Sequence, residues 1–209
     1  MLFRSELNGG SGDDIIVVYG SAGVTVKADG GDDIVIGGSG KDRLDGGSGD
    51  DLIFGQGGDD TMIFSSINSS GDDKFDGGTG FDRIQLTNGN ISIGYDTAKF
   101  INVEMIDLGD SNPRDFSENK LALSAGDLVA GHAGSLGGHS IALYVIGDNT
   151  GNSTGKDNVD LNGFNMVAIG SVNNVTDAAT GQSHSYDIYQ GTGVNAGVKV
   201  AVEHGLDVM

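Results

Sequence analysis

Cysteine is absent from this chain, which excludes a disulfide framework, thiolate zinc sites and a cysteine nucleophile. Basic residues are scarce. Eleven Lys and Arg stand against 30 Asp and Glu, for a formal net charge of −19. Such a chain repels nucleic acid and anionic membrane, and it repels itself, so compact folding calls for counter-charge. Aromatic residues make up only 6%, so a core has to come from small aliphatic side chains. No run of about 18 apolar residues occurs, and no helical bilayer span is expected. The opening Met1–Ser5 lacks the apolar stretch of a signal peptide. If the protein is exported, its address is expected elsewhere.

Glycine is abundant, at 38 residues, and its spacing is regular. Blocks of nine begin at Gly9 (GGSGDDIIV), Tyr19 (YGSAGVTVK), Ala28 (ADGGDDIVI), Gly37 (GGSGKDRLD), Gly46 (GGSGDDLIF), Gly55 (GQGGDDTMI), Asn68 (NSSGDDKFD) and Gly77 (GGTGFDRIQ). Val18 is a single extra residue, and Phe64–Ile67 is a four-residue insertion. Column six reads Asp14, Val24, Asp33, Asp42, Asp51, Asp60, Asp73, Asp82. Column eight reads Ile16, Val26, Val35, Leu44, Ile53, Met62, Phe75, Ile84. At the chain's apolar frequency of 37%, eight apolar residues in eight blocks have a chance of roughly 0.0004. A flexible Gly/Ser/Asp linker would not keep such a column.

Each block therefore reads as a tight Gly-rich turn followed by a three-residue strand. Column eight points inward, and columns seven and nine point outward. Two blocks make one full turn of a coil. Stacked turns give two parallel sheets around a thin aliphatic core.

The blocks resemble the G-G-x-G-x-D-x-U-x nonapeptide of repeats-in-toxin (RTX) proteins, a calcium-binding repeat. The resemblance covers about residues 9–85 and implies an all-β fold: a calcium-bound parallel β-roll. It also implies ions between stacked turns, shared by blocks i and i+2. Ligands would be the column-six carboxylates of Asp14, Asp33, Asp51 and Asp73 on one side, and of Asp42, Asp60 and Asp82 on the other. Turn carbonyls would add to them, from Gly10, Gly12, Gly31, Gly38, Gly40, Gly47, Gly49, Gly58, Gly78 and Gly80. Val24 cannot ligate through its side chain, so the first site of the second column should be missing. The insertion at Phe64–Ile67 disturbs the spacing just before Asp73 and Asp82.

The residue types agree with Ca²⁺. The repeat offers only oxygens, which suits a hard cation taking six to eight of them in flexible geometry, rather than zinc, copper or an octahedral magnesium. Residues 9–85 hold 15 Asp, no Glu and five Lys or Arg, for a formal charge of −10. Without cations this segment is expected to be disordered, with calcium binding and folding as one event.

Beyond Leu86 the nine-residue spacing ends. The reading is then 1–8 as a lead-in, 9–85 as the β-roll and 86–209 as a β-rich cap. Strands are expected near Phe100–Leu108, His139–Ile146, Asn165–Ser171, Tyr186–Tyr189 and Val198–Val202, and a short helix over Glu118–Ala130. Asp148, Asp157 and Asp160 form an Asn/Gly/Asp turn cluster or, less simply, a further cation site. The segments Asn102–Leu108, Asn119–Val129, Tyr144–Leu161, Tyr186–Tyr189 and Val200–Met209 resemble the C-terminal region of large RTX adhesins exported by type I secretion. That resemblance implies an uncleaved export signal in roughly residues 159–209. It also implies the type I apparatus as partner and an extracellular or cell-surface location, with this chain a monomeric module of a larger protein.

No enzyme is expected. His132, His139, His184 and His204 are scattered, with no H-E-x-x-H. Gly138–Ala142 lacks the second glycine and the strand–turn–helix context of a serine elbow. The glycine pairs lack the Lys-Ser/Thr of a phosphate loop. Two alternatives differ in what lies upstream or on the surface: the tail of a secreted hydrolase, and an ice-binding roll. Column three (Ser11, Ser21, Gly30, Ser39, Ser48, Gly57, Ser70, Thr79) is too irregular for the flat Thr array the last one needs.

Overall fold

The computed structural model describes residues 6–64, 72–87, 92–94, 100–109, 119–123, 134–136, 139–147, 157–161, 167–176, 183–192, 198–204 and 206–208. Strand is the only regular secondary structure among them. The chain divides into two compact units, residues 1–87 with 98–103 and residues 88–97 with 104–209.

In the first unit, columns seven to nine of each block form a strand, as the alternation predicts. They are β2 (Ile15–Val17), β3 (Thr25–Gly30), β4 (Ile34–Ile36), β5 (Arg43–Asp45), β6 (Leu52–Phe54), β7 (Thr61–Phe64), β8 (Lys74–Asp76) and β9 (Arg83–Leu86). Successive strands join opposite sheets, so hydrogen-bonded neighbours lie two blocks apart: Val35 pairs with Ile53, and Leu44 with Met62. All of these pairings are parallel. The architecture is a parallel β-roll. Column eight forms its core. Val26, Val35, Leu44, Ile53, Met62, Phe75 and Ile84 are all buried, each worth about 1.5–3 kcal/mol of transfer free energy. Ile16, in the first coil, is only half-buried.

Two features depart from the nine-residue pattern. The lead-in contributes a strand of its own, β1 (Glu6–Ser11), which pairs with β3 so that Leu7 lies opposite Val26. The insertion after Ile63 leaves the register intact. β7 gains Phe64, β9 gains Leu86, and the two residues pair. The ring of Phe64 packs against Phe75 at 6.1 Å, and Phe75 stacks on Phe100 at 5.7 Å. Phe100 belongs to β11 (Phe100–Ile101), which pairs with β8.

The turns depend on left-handed backbone. In column four, Gly31, Gly49, Gly58 and Gly80 have φ of +124°, +131°, +109° and +142°. A Cβ on Gly49 would strike the Gly31 carbonyl of the coil before, and one on Gly80 the Gly58 carbonyl. In column two, Gly10, Gly20, Gly47 and Gly78 are left-handed as well, and there Asp29 and Gln56 adopt φ 74° despite their side chains.

The second unit holds β10 (Ser92–Gly94), β12 (Met105–Asp107), β13 (Lys120–Ala122), β14 (Gly134–Leu136), β15 (His139–Ile141), β16 (Leu143–Ile146), β17 (Asn158–Asp160), β18 (Val167–Thr176), β19 (Ser183–Gln190), β20 (Lys199–Glu203) and β21 (Asp207–Val208). One parallel sheet runs β10-β13-β17-β21; in the other, β12, β16 and β20 are parallel and β19 and β18 follow antiparallel. The chain thus goes on alternating between two sheets. Two hairpins, β14–β15 and β18–β19, interrupt it.

Two expectations are corrected. The helix placed over Glu118–Ala130 is a strand where it is described. Asn119, Leu121 and Leu123 are buried while Lys120 and Ala122 are exposed, a period of two that fits a strand and not a helix. Residues 124–130 lie outside the described residues. The single strand expected over Phe100–Leu108 is two, β11 and β12, in different units. It breaks at Asn102, whose φ is 51°, a conformation that Asn tolerates better than most residues.

Relieving a left-handed side chain should stabilise the roll. Gln56→Gly is expected to gain about 0.5–1 kcal/mol, the left-handed penalty less the added unfolded-state entropy. Thermal melts in saturating calcium check this, with Gly58→Ala as the strongly destabilised counterpart.

Candidate metal centre

Column six precedes each strand, at the point where the turn closes. Its aspartates form two buried lines, one on each side of the roll. Asp33, Asp42, Asp51, Asp60, Asp73 and Asp82 are all at most 3% exposed, while Asp14, in the first coil, is half-buried. Each carboxylate reaches back one coil. Oδ1 of Asp33 accepts the Asp14 N–H at 2.7 Å, Oδ1 of Asp51 that of Asp33 at 2.9 Å, and Oδ1 of Asp73 that of Asp51 at 2.9 Å. On the other side Asp42 takes the Val24 N–H (2.9 Å), Asp60 that of Asp42 (2.8 Å) and Asp82 that of Asp60 (2.8 Å). Asp73 and Asp82 keep the pattern across the insertion. Val24 donates its N–H and ends its line, having no carboxylate.

The second oxygens behave differently. Oδ2 of Asp42 accepts the Gly38 N–H at 2.8 Å. Oδ2 of Asp33, Asp51 and Asp60 is buried with no hydrogen-bond partner. A buried acceptor in that state costs about 1–3 kcal/mol, more when charged. Column one makes room for these oxygens, because a Cβ on Gly46 or Gly55 would collide with Oδ2 of Asp51 or Asp60.

Among the ten glycines whose carbonyls were expected to ligate, Gly12, Gly31, Gly40 and Gly58 turn their carbonyl towards the column-four glycine of the next coil. The Gly38 carbonyl accepts the Gly57 N–H at 3.3 Å. Gly10, Gly47 and Gly78 occupy left-handed column two, and Gly49 and Gly80 left-handed column four.

Burial raises the pKa of Asp33 and Asp51, opposed by the backbone N–H each accepts and reinforced by neighbouring carboxylates. Asp60 is pushed up to about 7, by burial first and then by the charges of Asp82, Asp42 and Asp59, against the hydrogen bond from Asp42. These groups resist being charged without a cation. Their donor set is entirely oxygen, and orphaned carboxylate oxygens face coils one strand spacing apart. That is the arrangement a hard divalent cation satisfies, and Ca²⁺ fits it.

Two features escape a column-by-column reading. Column five looks mixed along the whole chain. Taken on one side only, it is Asp13, Asp32, Asp50 and Asp72, an exposed ladder in which Oδ1 of each accepts the N–H of the next at 2.9–3.0 Å. The second unit also repeats the column-six bond. Oδ1 of Asp157 accepts the Asn119 N–H at 3.0 Å, both residues are buried, and a Cβ on Gly147 would lie 2.6 Å from Asp157 Oδ2. The signal for it is a pentad, DRIQL at Asp82, EMIDL at Glu104, NKLAL at Asn119 and DNVDL at Asp157, which persists after the nine-residue spacing is lost. Asp160 is half-buried beside it, and Asp148 lies outside the described residues.

The raised carboxylates set a pH dependence. A folded-state pKa above the unfolded value means that the folded roll holds more protons between pH 4 and 7, so its metal-free stability falls as pH rises through that window. In metal-free buffer, strand circular dichroism is expected to be stronger at pH 4.5 than at pH 7.5, and Asp60→Asn should flatten the upper part of the curve. A signal that grows with pH would contradict the assignment.

A family model described as the RTX calcium-binding nonapeptide repeat (4 copies) matches residues 27–62 and 67–90. No curated protein and no solved structure gives a significant match. The matched residues are the coils that carry the buried aspartate lines. The sequence repeat, the roll and the oxygen-lined turns agree: the coils are RTX calcium-binding repeats, which bind calcium between stacked β-roll turns.

Proposed function

We propose that this chain is the calcium-dependent folding and type I export module of a large bacterial surface adhesin, and that it is not an enzyme. Asp14, Asp33, Asp42, Asp51, Asp60, Asp73 and Asp82 hold the ions, with turn carbonyls completing each shell. The observation that carries this reading is the pair of buried aspartate lines, whose orphaned oxygens and raised pKa values make the metal-free roll costly at neutral pH. In a low-calcium cytosol the chain stays unfolded and can pass a narrow channel. Outside the cell, calcium orders the coils and opposes back-sliding. Affinities of extracellular calcium modules, about 10⁻⁴–10⁻³ M, suit that switch. The address is assigned to Val159–Met209, on the resemblance of the C-terminal segments to those of exported adhesins. The tail of a secreted hydrolase would share every one of these features, and the residues preceding Met1 distinguish the two.

Calcium titration of the chelator-treated chain, followed by circular dichroism, is expected to show a cooperative gain of strand. Asp51→Ala, which takes a carboxylate from the middle of one line, should raise the midpoint by about tenfold, the loss of one charge-assisted contact. Strand that persists in chelator at pH 7.5 would end this reading.

Deleting Val159–Met209 is expected to abolish export in a type I-competent host, and fusing that segment to an unfolded passenger should restore it. Unchanged export of the deletion would remove the address from this segment.

A further inference from the structure

Only five of the basic residues lie in the coils, Lys27, Lys41, Arg43, Lys74 and Arg83. Three of them, Lys41, Arg43 and Arg83, border one cleft of about 340 Å³ together with Thr25 and Thr61. The cleft opens beside Val24, the one block without a column-six carboxylate. Arg43 and Arg83 stand in column seven, with Thr61 on the rung between them. Arg43 Nη1 donates to Gln85 Oε1 at 2.7 Å, and Arg83 Nη2 donates to Thr61 Oγ1 at 3.3 Å. The two guanidiniums therefore converge over the Thr61–Ile63 rung. Columns seven and nine face outward, yet Thr61 is 7% and Ile63 2% exposed, as expected where long cationic stems lie over a sheet.

Asp42 also borders the cleft. Its Oδ1 is held by the Val24 N–H at 2.9 Å and its Oδ2 by the Gly38 N–H at 2.8 Å. The one carboxylate that borders the cleft among the described residues is thus committed to the backbone on both oxygens, while Asp45, outside the cleft, offsets part of the charge of Arg43. Elsewhere on a chain of net charge −19, three converging cations are without parallel among the described residues.

We propose that this cleft is a binding site for a small organic oxyanion of about monosaccharide size, carboxylated or sulfated. Paired guanidiniums offer forked donors that match carboxylate and sulfate oxygens, and Lys41 adds a point charge at the rim. The threonine hydroxyls supply neutral partners for ligand hydroxyls. The volume sits at the lower end of small-molecule sites, larger than a bare ion requires. Like charges gathered in one cleft repel, and an anion between them relieves that repulsion. The inference does not depend on the export reading, and the site lies beside the Val24 end of one aspartate line, where no column-six carboxylate precedes Asp42.

The test uses the full chain in saturating calcium chloride, where the coils are ordered. Amide NMR spectra are followed while sodium glucuronate, sodium sulfate or neutral glucose is added. Glucuronate or sulfate is expected to give saturable shifts at the Thr25, Lys41 and Thr61 amides, and glucose none. The tighter of the two names the oxyanion class. Arg43→Gln and Arg83→Gln should each weaken binding roughly tenfold with the calcium midpoint of folding unchanged. If either fails to fold, Lys41→Gln, an exposed position, is expected to weaken it measurably. No saturation with either anion, an equal response to glucose, or wild-type affinity in the variants that fold would overturn the proposal.

Discussion

Repulsion between stacked carboxylates is the constraint around which the first unit is arranged. Coils one strand spacing apart set buried aspartates about 4.8 Å from one another along each line. At an effective dielectric near 20, an adjacent charged pair at that distance costs about 3–4 kcal/mol. The core that has to outweigh this is one apolar side chain per block. Val35, Ile53 and Phe75 line one sheet and Val26, Leu44, Met62 and Ile84 the other. So thin a core offsets chain entropy only narrowly. Charge on the aspartates therefore weighs against the metal-free roll, and either protons or divalent cations can offset it.

The hydrogen bonds make the response cooperative. Each column-six carboxylate ties its own coil to the coil before it, through the N–H of the preceding column-six residue. A cation that draws in Oδ2 therefore acts on two layers at once. The column-five aspartates reach in the opposite direction, Asp13, Asp32 and Asp50 on one side and Asp59 on the other, and the run of them on the first side gives the roll one strongly acidic flank. On the other flank Lys41, Arg43 and Arg83 interrupt the negative field. The two sides of a nearly symmetric repeat thus differ in chemistry, because blocks of odd and even number carry different residues in columns five and seven.

The second unit keeps the backbone habit and loosens the charge. Asn119 and Asp157 repeat the carboxylate-to-amide bond between rungs, while the Leu143 position opposite Val200 is apolar. Here cohesion shifts to packing. Met105, Tyr144, Ile146, Tyr186, Ile188 and Ala201 form a cluster, with Tyr144 and Tyr186 edge to face at 5.6 Å. His184 lies 2.6 Å from Glu203 Oε1, and Oε2 of Glu203 accepts the Gly147 N–H at 3.0 Å, which fastens β19, β20 and the end of β16 together.

Sequence alone determined the repeat, the strand positions and the inward column of the first unit, because glycine and β-strand constraints act within nine residues and recur. It also determined which aspartates form lines, since column and side follow from counting. Tertiary structure decided what counting cannot reach. The lead-in became a strand because Leu7 met Val26 across a coil. The insertion left the register intact, with its first residue, Phe64, extending β7 to pair with Leu86 of β9. Asn119–Leu123 became strand rather than helix because parallel neighbours on both sides, β10 and β17, supplied hydrogen bonds that a short local segment cannot supply for itself. The convergence of Arg43 and Arg83 likewise belongs to no local pattern. They lie 40 residues apart in the chain, and the roll brings them two rungs from each other.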